Sequence, residues 1–77
     1  MPASGVALTR LERDIVRHVM DSKSNDEIGR ELGLAAKTVE AHMSKLFERT
    51  GTASRMELAM RAEREGWLVT EPPPDVA

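Results

Sequence analysis

Between Lys37 and Lys45 the chain carries two ammonium groups, the hydroxyls of Thr38 and Ser44, the carboxylate of Glu40 and the small side chain of Ala41. On an α-helix these six lie at its start or on the side away from the apolar Val39, Met43, Leu46 and Phe47, which share the spacing of one buried stripe. The chemistry open to such a face is recognition by charge and hydrogen bond. Lysines hold phosphate oxygens, the Thr38 hydroxyl or nearby backbone adds to them, and Glu40, Ala41 and Ser44 are left to meet base edges. A carboxylate there has one matching base group, the amino group of cytosine. An ordinary solvated helix face has the same pattern, and both readings stand on spacing alone.

Catalytic chemistry finds little in the chain. Glu27, Glu31, Glu40 and Glu48 follow helix surfaces without converging, and there is no Ser, His and Asp arrangement or glycine-rich phosphate loop. The expectation is a protein that is not an enzyme and uses no cofactor. His18 and His42 are too few for an all-histidine metal site and fit no metalloprotease spacing. The absence of cysteine removes disulfides, thiolate chemistry and zinc-finger ligation together, and makes an intracellular chain the simplest expectation. No apolar run approaches the roughly 20 residues a bilayer span needs, and the N-terminus lacks signal-peptide regions, so a cytoplasmic location without a membrane partner is expected.

The elements that must position the face are marked by their own punctuation. Thr9 with Glu12, Ser24 with Glu27 and Ser54 with Glu57 each have the spacing of a capping box, in which hydroxyl and carboxylate satisfy two donors at a helix start. Gly33, Gly51 and Gly66 stand where left-handed stops are needed. Together they predict helices over about 10–21, 25–32, 36–50 and 55–65, the third a rod of about 22 Å. Residues 24–51 thus read as a helix-turn-helix, two helices folded about Gly33 with Leu34 turned inward. The fold class is all-α, a four-helix helix-turn-helix bundle, with no strand pattern anywhere. Its core is expected from Leu11, Ile15, Val16, Val19, Met20, Ile28, Leu32, the third-helix stripe, Leu58 and Ala62, with Leu8 as a staple and Trp67 and Leu68 closing the end. Residues 1–7 are expected to be a flexible segment, 8–68 the folded domain, and 69–77, with three consecutive prolines, a disordered tail.

Other residues admit two roles. Met56 and Met60, one turn apart with Ala59 and Glu63 alongside, suit a helix-to-helix dimer seam, although such residues also occur singly on surfaces. His42 either touches a phosphate or packs half-buried beside the second helix. Ser24 and Asn25 cap a helix and offer N–H groups to a phosphate at the same time. The formal charge of −2 opposes strong duplex binding, which draws much of its affinity from neutralised phosphates. Basic residues concentrate in or just beyond the first three helices, but the helix-turn-helix itself is balanced. Arg30, Lys37, Lys45 and Arg49 there face Asp26, Glu27, Glu31, Glu40 and Glu48, so weak affinity is expected of the isolated domain.

Leu8-Thr9 with Glu12, Ser24-Asn25 with Glu27-Ile28, Leu32, Thr38-Val39 with His42, Leu46, Gly51, Ser54-Arg55, Ala59, Ala62 and Gly66 resemble the LuxR/GerE-type DNA-binding domain over residues 8–68. The resemblance implies a four-helix transcriptional regulator domain, often the output half of a response regulator, that binds double-stranded DNA through its third helix. It also implies a homodimer formed through the fourth. Three positions depart from the family pattern: Glu40 stands where a basic residue is usual, Ala35 replaces a Ser cap, and Leu11 replaces an Arg. A second reading is kept, a protein-interaction module docking on RNA polymerase or a regulatory partner, with Glu40 and the acidic fourth helix (Glu57, Glu63, Glu65) marking lost DNA affinity. A sigma-factor region, similar in its Leu-Thr start and Thr-Val helix, is the third; His42 and Ser54-Arg55 favour the first.

Overall fold

Two hydroxyl residues open helices with both arms of a capping box. Thr9 Oγ1 accepts from the Glu12 N–H at 3.1 Å while Glu12 Oε1 accepts from the Thr9 N–H at 2.9 Å; Ser24 and Glu27 repeat this at 3.2 and 2.8 Å. The third expected box is half formed. Ser54 Oγ accepts from the Glu57 N–H at 3.1 Å, but Glu57 Oε1 accepts from the Ala53 N–H, one residue further back, at 2.9 Å. The computed structural model describes residues 8–69, which form α1 (Arg10–Met20), α2 (Asn25–Leu32), α3 (Ala36–Thr50) and α4 (Arg55–Glu65), then a 3-10 turn at Trp67–Val69. Among the described residues there is no strand. The expected flexible segment 1–7 and residues 70–77 of the expected tail lie outside them; Val69, assigned by sequence to the tail, belongs to the closing turn.

The stops behave as their glycines require. Gly33, Gly51 and Gly66 all have positive φ, and at Gly33 (φ 72°) the chain reverses tightly between α2 and α3. Here the Leu34 N–H donates to the Gly29 carbonyl at 2.7 Å. That bond brings the turn so close to α2 that a Cβ on Gly29 would lie 2.4 Å from the Leu34 carbonyl oxygen. Gly29 is therefore a steric requirement of the turn, unmarked by local sequence. α1 ends one residue earlier than expected, at Met20, and its exit places Ser22 in the left-handed region at φ 63° without a glycine.

Burial follows the helical stripes. Ile15, Val16 and Val19 of α1, Ile28 of α2, Val39, Met43 and Leu46 of α3, Leu58 and Ala62 of α4, and Trp67 form one core, with α2 packed chiefly on α3 and α1 on α4. A fully buried side chain of this kind contributes roughly 1.5–3 kcal/mol. Leu11, Leu32 and Phe47, expected inside, are only partly buried around its edge, whereas Val16 is fully enclosed. The helical stripe is wider than the core contact, so residues at its margins meet solvent on one side.

Polar bonds fix the C-terminal end of α3. Glu12, buried on α1, pairs with Arg49 in the last turn of α3. Burial alone pushes the Glu12 carboxyl up, but the Thr9 N–H and the Arg49 guanidinium outweigh it and hold the group below its ordinary range. Thr50 Oγ1 donates to the Leu46 carbonyl at 2.6 Å and lies 2.9 Å from Thr52 Oγ1. Arg61 of α4 donates to the Thr50 carbonyl at 3.1 Å and to Glu65 at 2.8 Å, with its guanidinium 5.9 Å from the centre of the Trp67 ring. Trp67 is closed off from solvent as the expected plug, its indole N–H on Glu65 at 3.0 Å.

Candidate nucleic-acid interface

α3 divides into two sides. Val39, Met43, Leu46 and Thr50 are buried, while Lys37, Thr38, Glu40, Ala41, Ser44 and Lys45 are all exposed. The structure thus brings the six candidate residues onto one free helix face, which Glu48 and Arg49 extend toward the C-terminus. Ala35 caps α3 without a side-chain bond, and no acidic residue stands in the first turn. The N-terminal N–H groups and the positive end of the helix dipole are therefore left without a capping carboxylate, next to Lys37 and Thr38.

α2 has the opposite electrostatic character. Asp26, Glu27 and Glu31 are exposed, with Arg30 among them. The Ser24 N–H holds the Glu27 carboxyl below its ordinary range, and Glu31 pairs with Lys23 at 3.5 Å. His42 is half-buried, as its packing reading expected.

A cleft separates the start of α2 from α3, lined by Asn25, Glu40, Met43, Ser44, Phe47 and Arg55. At its edge Arg55, the first residue of α4, donates from Nη1 to Asn25 Oδ1 at 2.6 Å and from Nη2 to the Lys23 carbonyl. One side chain thereby ties the beginning of α4 to the α1–α2 turn. Sequence reasoning gave Arg55 no role beyond its place in the family resemblance, because its partners lie 30 and 32 residues away.

On α4 the core face is Leu58 and Ala62, and the proposed seam residues lie elsewhere. Met56 and Met60 are 73% and 59% exposed, the only large hydrophobic side chains so exposed among the described residues; Glu63 is exposed and Ala59 half-buried beside them. Among the described residues no group of His, Cys, Asp and Glu could hold a metal ion, and no helix is long and apolar enough to cross a membrane.

Four helices with an α2–turn–α3 unit and a free polar α3 face define a helix-turn-helix domain of transcriptional regulators. The chain belongs to the luxR family of bacterial regulatory proteins, whose profile matches residues 6–62. A relative in Mycobacterium bovis, provisionally named an HTH-type transcriptional regulator, is 39% identical over 66 residues, which is 84% of this chain and 8% of that protein. The HTH-type transcriptional regulator MalT of Yersinia pestis is 35% identical over 57 residues, 74% of this chain and 6% of its own length. The chain spans less than a tenth of the curated relatives it matches. No solved structure matches it significantly.

Proposed function

We propose that this domain binds duplex DNA by laying α3 in the major groove. Lys37 and Lys45 sit on phosphates, Thr38 adds its hydroxyl or nearby backbone to them, and Glu40, Ala41 and Ser44 face base edges, Glu40 accepting from a cytosine amino group. The observation that carries this reading is the exposure of all six side chains on a helix whose other side is the core. An α-helix fits a groove about 12 Å wide, and fixing α3 by its inner side leaves its outer side available. A second copy pairs through Met56, Ala59, Met60 and Glu63 of α4, and the dimer spans two half-sites about one helical turn apart. Within a larger regulator in the cytoplasm, such a dimer would control transcription at those sites.

The acidic α2 surface and Glu40 favour one other reading, docking on RNA polymerase or a regulatory protein with little DNA affinity. Selection of bound duplexes from a random pool, at low and moderate salt, separates the two. Recovery of a recurrent two-part sequence supports DNA recognition; a pool that stays random at both salts rejects it.

A further inference from the structure

The Arg55–Asn25 contact has an orientation built into it. A guanidinium only donates, so the atom of the Asn25 carboxamide facing it must be the oxygen, and the amide nitrogen must face away. Arg55 is itself held by its second bond, to the Lys23 carbonyl, which fixes the plane of the fork. Among the described residues Asn25 Nδ2 has no hydrogen-bond partner, and it is not sealed from solvent. Asn25 lines the cleft that it shares with Glu40 and Ser44 of the candidate interface.

We propose that Arg55 is a positioning residue, holding Asn25 so that its Nδ2 donates to a backbone phosphate of duplex DNA lying across the α2–α3 cleft. The proposal rests on the DNA-binding reading above. A phosphate is the fitting acceptor because Asn25 is short, half-buried and at the first position of α2, the helix that crosses the DNA backbone when α3 enters the groove. The arrangement also joins the first residue of the proposed dimer helix to a DNA contact. A shift of α4 would move Arg55 and release the carboxamide to rotate.

The test uses the 77-residue chain and a duplex recovered by the selection described above. Asn25→Ala is expected to weaken binding about ten-fold, the scale of one hydrogen bond to a charged oxygen. Arg55→Lys keeps the charge but lacks the fork that grips both partners, and should lose a similar factor. The double variant should lose no more than either single one, since both act through one amide. A neutral methylphosphonate replacing each backbone phosphate in turn should reveal one position that weakens the wild type but not Asn25→Ala. Losses that multiply in the double variant, or identical methylphosphonate profiles for wild type and Asn25→Ala, overturn the proposal. If circular dichroism shows that Arg55→Lys disturbs the helices, the methylphosphonate comparison decides alone. A wild type that recovers no duplex refutes the DNA-binding reading and this proposal with it, whereas wild-type binding with an unaltered Asn25→Ala refutes only the latter.

Discussion

Glu12→Gln removes a charge from the junction of α1 and α3 while preserving the shape of the side chain. One amide oxygen can still accept from the Thr9 N–H, so the start of α1 stays capped, but Arg49 loses its carboxylate. A hydrogen bond between charged groups contributes about 1.5–3 kcal/mol. The Arg49 side chain is 42% exposed, so water screens the pair and offsets part of the lost charge, which places the loss near the lower end, about 1.5–2 kcal/mol. For a domain of this size the melting temperature should fall by roughly 6–16 °C. The effect has a pH signature. A carboxyl whose folded pKa lies below its ordinary 4.5 contributes its full stability above that value and loses it as pH falls through the folded pKa. Wild type and Glu12→Gln should therefore differ at pH 7 and converge in acid. Thermal and urea melts followed by circular dichroism measure both. A difference under about 0.5 kcal/mol at pH 7, or one that persists undiminished well below the carboxylate range, would refute the assignment of this stability to the charged pair.

Gly29→Val should destabilise the fold by about 3 kcal/mol or more, because the new side chain meets the Leu34 backbone carbonyl rather than a side chain that can move; unchanged urea melts would show that the turn is looser than described. Glu40→Lys should tighten nonspecific duplex binding roughly ten-fold at low salt in a fluorescence titration, while a shifted sequence preference would identify Glu40 as a base contact. Lys37→Ala or Lys45→Ala should flatten the logarithmic salt dependence by about one counterion, and an unchanged slope removes that lysine from the phosphate contacts. Met60→Glu places charge on a 59% exposed position and should leave the helices intact while lowering cooperative binding to a two-half-site duplex; lost helicity would make Met60 a core residue, and undiminished cooperativity would put the dimer contact elsewhere.

Local signals were readable because their causes are local. Ser and Thr capped the starts of α1, α2 and α4, glycines sat at the predicted left-handed ends, and the bounds of α2, α3 and α4 agree with the sequence expectation. The exposed α3 face followed from periodicity alone. What escaped depends on residues distant along the chain. Glu12 reads as half of a capping box, and its burial against Arg49, 37 residues on, leaves no trace in spacing. Arg55 belongs to the same group, and Gly29 reads as a helix-weakening glycine until the turn folds back over it. Glu57 illustrates the limit even of local rules, since its carboxylate selects the Ala53 N–H over the Ser54 N–H the motif expects.

Among the described residues, the attachments of α3 lie on its inner side or in its last turn: the buried stripe, the Arg49 pair and the Thr50 bonds. None of the six outward residues carries a structural duty, so exchanging them should alter stability by about ±0.5 kcal/mol each. A lineage of such domains can accordingly rewrite this surface one residue at a time without passing through unfolded ancestors. If this face is the DNA-reading surface proposed above, divergence of what it recognises is then decoupled from survival of the fold, and the frame can be inherited unchanged while its message drifts.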